Sequence, residues 1–342
     1  MPARLVRVDP AAPDVGAIGE AAAVLASGGL VAFPTETVYG LGADALDAQA
    51  VARVFEAKGR PTDNPIIVHV ASPGDLDTLV TQVGATAQAL IARFWPGPLT
   101  LVLPAAPVIP EVTRGGLPTV AVRMPAHPVA LALIAAARRP IAAPSANRSG
   151  RPSPTTAQHV LADLGERIDF ILDAGPTPVG VESTVLDVTG EPPVLLRPGG
   201  VSLEALQAAV GAVALPTPGE AALARSPGTR HRHYAPRARV ALVEPSADSA
   251  REVAATVRRL WDRGLRVGVM VTAEGEAEVP AGAVVRVMGS RAAPEVIAAN
   301  LFALLRELDE AGLDAIVVEG VAERGVGRAV MDRLRRAAAG AP

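Results

Sequence analysis

Two pairs of polar residues share one spacing, Lys58 with Arg60 and Ser145 with Asn147. In an extended chain, residues two apart fall on the same side, so each pair can present both side chains to one ligand. If these segments converge with Arg123 and Arg197, they form a concave site with several cations and several neutral hydrogen-bonding groups. That mixture suits a triphosphate, whose charge must be met by fixed donors. Lys58 is the only lysine in the chain, every other long basic side chain being arginine. An ammonium is a compact point charge that arginine's planar fork does not reproduce, which singles Lys58 out. The chain has no Gly-x-x-x-x-Gly-Lys-Ser/Thr run. The Gly-x-Gly pairs at Gly40 and Gly325 lack the third glycine of a dinucleotide turn, and the second pair reads as the start of a helix.

Composition narrows the chemistry. Without cysteine there is no disulfide, thiolate nucleophile, zinc knuckle or iron–sulfur cluster. A net charge of -3 gives no global attraction for nucleic acid, so any polyanion site is local. No apolar run approaches the roughly 20 residues of a membrane helix. Residues 1 to 10 lack a signal-peptide core, and the expectation is a cytoplasmic protein with no membrane association. At 342 residues, two domains are expected.

The elements that must position these groups follow from the pattern. An apolar strand from Leu30 to Phe33 is cut by Pro34, and the polar stretch up to Asp44 (Thr35, Glu36, Thr37, Tyr39, Gly40, Gly42) predicts a binding loop. Asp47 predicts the cap of a helix ending at Lys58. Alternation over Pro65 to Val70 puts Ile66, Val68 and Val70 on one face and Ile67 and His69 on the other; taken alone, His69 fits a structural role. In the strand from Leu117 to Met124, Thr119, Ala121 and Arg123 share a face, and an arginine there needs a partner or a cleft. A strand from Ile141 to Ala143 stops at Pro144 and opens a second polar loop, after which Thr155 caps a helix running to about Arg167. Strands follow at Phe170 to Leu172, Thr184 to Val188 and Val194 to Leu196. Strands and helices alternate, as in an α/β domain with a largely covered sheet. Residues 212–238 lack periodicity and read as a linker, although Ser226 to Pro236 packs cations and an aromatic together. Four strands alternating with helices then predict a small doubly wound α/β unit.

Taken in order, these segments resemble a known family. Phe33 to Ala45, Lys58-Gly59-Arg60-Pro61, Thr119 to Arg123, Pro144 to Asn147 on through Ser153-Pro154-Thr155, Glu182-Ser183-Thr184 and Leu196-Arg197-Pro198-Gly199 are similar to the YrdC-type threonylcarbamoyl-AMP synthases. The linker motif and appended unit look like the longer, two-domain form, with Thr229 and His231 standing where that form has an apolar and an aromatic residue. The resemblance implies a YrdC-like twisted mixed sheet whose helices form a concave site, plus a smaller doubly wound, Rossmann-like C-terminal domain. It assigns 1–211 to catalysis, 212–238 to a linker or lid over the active site, and 239–342 to the C-terminal domain. The implied activity is that of a nucleotidyltransferase joining L-threonine, bicarbonate or CO2 and ATP into threonylcarbamoyl-AMP and pyrophosphate, for threonylcarbamoyladenosine modification beside the tRNA anticodon.

Carried over by position, the resemblance implies ATP contacts from Arg60, Asn64, Thr119, Ser145, Ser153 and Arg197, with His233 and Tyr234 closing over the nucleotide. Threonine contacts fall to Thr35, His69, Arg123, Ser183 and the backbone of Ala143. Lys58, Arg60, Ser145 and Asn147 would carry catalysis, and Mg2+ would arrive on the ATP phosphates without direct protein ligands. The product would pass to a tRNA threonylcarbamoyl transferase complex, with weak tRNA binding by this chain. Two other readings compete. A non-catalytic RNA binder could use the same basic site, although the net charge counts against it. A carbamoyltransferase of the hydrogenase-maturation type would carry cysteine-based zinc modules, which a chain without cysteine lacks.

Overall fold

A computed structural model describes residues 2–216, 226 and 234–339. The backbone divides into two units, Met1–Ser149 with Ser153–Pro178 and Glu182–Arg230, and Gly150–Pro152 with Val179–Val181 and His231–Pro342.

Ten strands of the first unit make one sheet: β1 (Arg4–Arg7), β2 (Val31–Phe33), β3 (Gly40–Asp44), β4 (Ile67–His69), β5 (Leu99–Pro104), β6 (Thr119–Arg123), β7 (Ile141–Ala142), β8 (Phe170–Asp173), β9 (Thr184–Asp187) and β10 (Val194–Arg197). Their order is β1-β8-β2-β3-β7-β4-β6-β5-β9-β10. Parallel pairs such as β4 with β6 and β5 with β9 alternate with antiparallel ones such as β5 with β6, so the sheet is mixed. The sequence pattern did not predict β1, which lies at the sheet edge parallel to β8 and is mostly exposed.

Period-two alternation sorts the two faces. Ile66, Val68, Val70, Val120 and Val122 join the large core beneath the helices, while Ile67 and Ala121 meet Val102, Val185 and Leu196 on the other side. His69 and Arg123 share this second face and pair directly across β4 and β6. By the same parity it carries Thr100, Thr119 and Ser183. Polar side chains therefore surround a small apolar floor.

The stretch expected as one loop from Phe33 to Asp44 is instead a hairpin. The chain reverses after β2 and returns as β3, antiparallel to it. Neither Gly40 nor Gly42 takes a positive φ. Their value is close approach, since a Cβ on Gly42 would lie 2.8 Å from Ile141 Cγ2 and 2.9 Å from Phe33 Cε1. A second correction concerns the later helix, which spans Ala157–Leu164 and is capped by Thr156, whose hydroxyl accepts from the His159 N–H. Thr155 sits one residue outside, against the His159 ring.

The second unit holds four parallel strands, β11 (Arg239–Val243), β12 (Val267–Thr272), β13 (Val284–Gly289) and β14 (Ala315–Glu319), in the order β11-β14-β12-β13. The helix Ser249–Trp261 lays Val253, Val257 and Leu260 against Val243, Val269, Val271 and Val317. Helices Pro294–Glu310 and Gly327–Ala338 pack on each other and on β13, β12 and β11, covering the other face. Among the described residues no helix is long and apolar enough to cross a membrane.

Candidate active site

The hairpin turn and the strand face build one polar nest. Thr35 is buried, and its hydroxyl donates to Val38 O at 2.7 Å while accepting from the Thr37 and Val38 N–H groups, which fixes the turn. Thr37 Oγ1 in turn accepts from Arg123 Nη1 at 2.9 Å, and Arg123 Nε donates to Gly97 O at 3.1 Å. The third edge of this guanidinium faces Glu36, with Oε2 2.6 Å from Nη2. That pair lies off hydrogen-bond geometry, and neither carboxylate oxygen of the buried Glu36 has a hydrogen-bond partner. Glu36 is thus held by charge alone, an arrangement that buried carboxylates seldom adopt.

His69 stands beside Arg123 with Nδ1 donating to Ile67 O at 3.2 Å, and the Ala143 N–H donates to the same carbonyl at 2.9 Å. Burial first, and the Arg123 charge second, push the His69 imidazole down to about 3. It is neutral at every physiological pH. The sign of its effect on stability follows: the unfolded chain takes up a proton near 6.5 that the folded chain refuses until about 3. Stability is complete above the first value and falls on acidification through that window by up to about 1.4 kcal/mol per pH unit. Urea midpoints measured from pH 7 to 4 should fall less steeply for His69→Gln than for the parent; parallel lines would contradict a neutral, buried imidazole.

Next to this nest, Ser183 Oγ lies 2.8 Å from Thr100 Oγ1, and Arg197 Nη2 donates to Ser183 O at 2.9 Å. Ser153 Oγ donates to Glu182 Oε1 at 2.5 Å. Gly199 explains why this turn ends in glycine, because a Cβ there would sit 2.3 Å from Ser183 C and Thr184 N. The two clusters are joined through Gly97 and Pro98, the former accepting from Arg123 and the latter from Thr184 N–H at 2.9 Å.

Lys58 closes the third cluster. It is the last residue of the helix Ala48–Lys58 and only 3% exposed. Its ammonium donates to Ser145 O and Asn147 O, both at 2.5 Å, and the Lys58 carbonyl accepts from Ser149 N–H at 2.8 Å. Lysine and loop are therefore clasped from both sides, and Ser145 also bridges to Gly40. The spacing argument fails here for a local reason. Gly59 is left-handed, with φ +62°, so the chain turns between Lys58 and Arg60 instead of running extended. Arg60 bends back to Asn64 O at 3.3 Å and Pro65 O at 2.9 Å. Asn64 and Thr119 are buried as well, Thr119 opposite Pro104.

Of the remaining expected residues, His233 lies outside the described residues. Tyr234 belongs to the second unit, where its ring stacks on Phe302 at 5.4 Å between centroids and the Arg333 guanidinium lies 5.1 Å from its centre. Sequence reading did not assign Glu36, Thr37, Gly97, Thr100 or Glu182 to the site. Glu36 and Thr37 were visible as polar residues in a motif; Gly97 acts only through its carbonyl, which leaves no mark in a sequence. Tyr39 donates to Gly175 O at 2.7 Å, and burial raises its phenol well above the usual value, so it is a fixed donor and not a base. Among the described residues no group of three or more His, Cys, Asp or Glu could hold a metal ion.

Comparison with known proteins gives the family of the chain. A family model described as "Telomere recombination" matches residues 23–199, and one described as "Threonylcarbamoyl-AMP synthase, C-terminal domain" matches 201–339. The threonylcarbamoyl-AMP synthase of Pyrococcus abyssi is 51% identical over 321 residues, covering 93% of this chain and 92% of that protein. The enzyme of the same name from Bacillus subtilis is 48% identical over 329 residues, covering 94% and 93%. The crystal structure of Pyrococcus abyssi Sua5 complexed with L-threonine aligns with a TM-score of 0.93 at 48% identity, over 98% of this chain and 97% of that one. With both units matched and the mixed sheet shared, the chain belongs to the threonylcarbamoyl-AMP synthase family, a family of nucleotidyl-transferring enzymes.

Proposed function

We propose that this protein condenses L-threonine, bicarbonate or CO2 and ATP into threonylcarbamoyl-AMP, releasing pyrophosphate. The observation that carries the reading is the nest around Arg123: a buried guanidinium, a neutral imidazole and small hydroxyls on one strand face. A guanidinium suits the threonine carboxylate, and Thr35, His69, Ser183 and the Ala143 backbone provide uncharged partners for the rest of the amino acid. Arg60, Asn64, Thr119, Ser145, Ser153 and Arg197 take ATP in this reading, with His233 and Tyr234 as the lid. Mg2+ enters as part of the nucleotide, on its own phosphate oxygens.

The threonine amine, once deprotonated, adds to CO2, and the resulting carbamate oxygen attacks the α-phosphorus as the bond to pyrophosphate breaks. Positioning and charge neutralisation dominate such a transfer. Arg60 and Arg197 face the phosphates in this scheme, while Lys58 holds the Ser145 to Asn147 loop that borders them. The product is then handed to a transferase that modifies the adenosine beside the tRNA anticodon, which places the protein in the cytoplasm with weak, local contact to tRNA.

The direct test is to measure pyrophosphate from ATP and Mg2+ with and without threonine and bicarbonate. Release that ignores either one would sink the reading. Discrimination against serine rests on one methyl group, worth about 1–3 kcal/mol in a fitted pocket. Serine is therefore expected to be used with a kcat/KM about 10–200-fold below threonine. Equal values would show that the methyl has no fitted wall.

A further inference from the structure

In the second unit the helix that follows β11 packs on one face of the sheet, and the helix that follows β14 returns over β11 on the other. Neighbouring parallel strands whose helices diverge in this way leave a crevice beyond their carboxyl ends, the position where open α/β sheets bind ligands. Here that crevice is a cavity of about 470 Å³, with Pro245 and Ser246 after β11, Val321 and Arg324 after β14, and Ser249 and Arg291 closing it. Its size falls within the roughly 300–1,000 Å³ of small-molecule sites. Among the described residues its lining comes from the second unit.

The chemistry of the walls is specific. Glu319 is fully buried, and its carboxylate accepts from Ser249 Oγ at 3.0 Å, Thr272 Oγ1 at 2.9 Å, Thr272 N–H at 2.8 Å and Arg291 Nη2. One end of the Arg291 fork is thereby pinned, and the rest of this half-exposed side chain lines the cavity. Glu319 balances one positive charge, and Arg324, which forms no ion pair among the described residues, adds a second. Its sequence neighbour Glu323 is drawn away by Arg335 at 2.6 Å. Gly320 lets the chain leaving β14 lie close against the end of β11, since a Cβ there would meet Val243 O at 2.7 Å. We infer that this crevice binds a phosphate-bearing ligand of nucleotide size. Two guanidinium groups and the Ser246 hydroxyl meet the phosphate, Ser249 serves to hold Glu319 and Arg291 in place, and Pro245 and Val321 form the apolar wall for the remainder.

Hydrogen exchange read peptide by peptide on the full chain separates this site from any nucleotide bound in the first unit. AMP, adenosine and inorganic phosphate serve as probes. AMP should slow exchange around residues 245–249 and 320–325, whereas adenosine should leave both segments unchanged. The exposed Arg324 touches no core, so Arg324→Ala should fold normally and raise the AMP concentration for half-protection about tenfold. No protection by AMP, equal protection by adenosine, or protection that survives Arg324→Ala unchanged would overturn the assignment.

Discussion

Arg123→Leu is expected to abolish threonine-dependent pyrophosphate release and to lower folding stability by about 3–5 kcal/mol, the usual effect of removing one partner of a buried ion pair. Three losses coincide. Gly97 O and Thr37 Oγ1 lose their donor, and the Glu36 carboxylate, already without a hydrogen bond, loses the guanidinium that faces it. The stability effect can be separated from the catalytic one. Replacing both partners by apolar groups removes the stranded charge, so Arg123→Leu combined with Glu36→Leu should recover much of the denaturation midpoint while staying inactive. Turnover in either variant at saturating threonine would refute the carboxylate-binding role of Arg123. A double variant no more stable than the single one would refute the stranded-charge account.

Lys58→Met should be the second severe change. The methionine keeps the volume of the stem but removes the donor shared by Ser145 O and Asn147 O. Ser145 O still accepts from Asn147 N–H at 3.0 Å, so a loss of about 1–3 kcal/mol in urea denaturation is expected, the usual effect of withdrawing a donor from a buried acceptor. The Ser145 to Asn147 loop would also lose its anchor. If that loop borders the nucleotide, KM for ATP should rise and kcat should fall at least 100-fold, about the effect of losing a preorganised contact at a reacting phosphate. Lys58→Arg should not rescue, because a planar fork cannot converge on two carbonyls both 2.5 Å from one atom. Unchanged stability with lost activity would instead make Lys58 a direct phosphate ligand.

The sequence pattern revealed most where side chains alternate. Val68 against His69, and Val122 against Arg123, sorted correctly onto two faces because a period of two is geometry and not context. Order of strands was beyond its reach, since β4 lies between β6 and β7 through contacts distant in sequence. The hairpin at Gly40 was missed because its glycines resemble loop residues until Phe33 and Ile141 are seen pressing on them. Site residues followed the same division. Arg123 announced itself as a charge in an apolar strand. The role of Lys58 did not, because its partners are backbone carbonyls, identical at every position of a sequence. The left-handed Gly59 also broke the extended spacing on which Lys58 and Arg60 had been paired.

The burial of that single lysine has a practical corollary. Apart from the chain's α-amine, this protein carries one primary amine, and it is clasped between two carbonyls at 3% exposure. Acylating reagents act on the free, neutral amine, so they reach this nitrogen only when the Ser145 to Asn147 segment lets go. The rate of Lys58 acylation is therefore a built-in clock for local opening at the heart of the site, readable by mass spectrometry against the background of no other lysine.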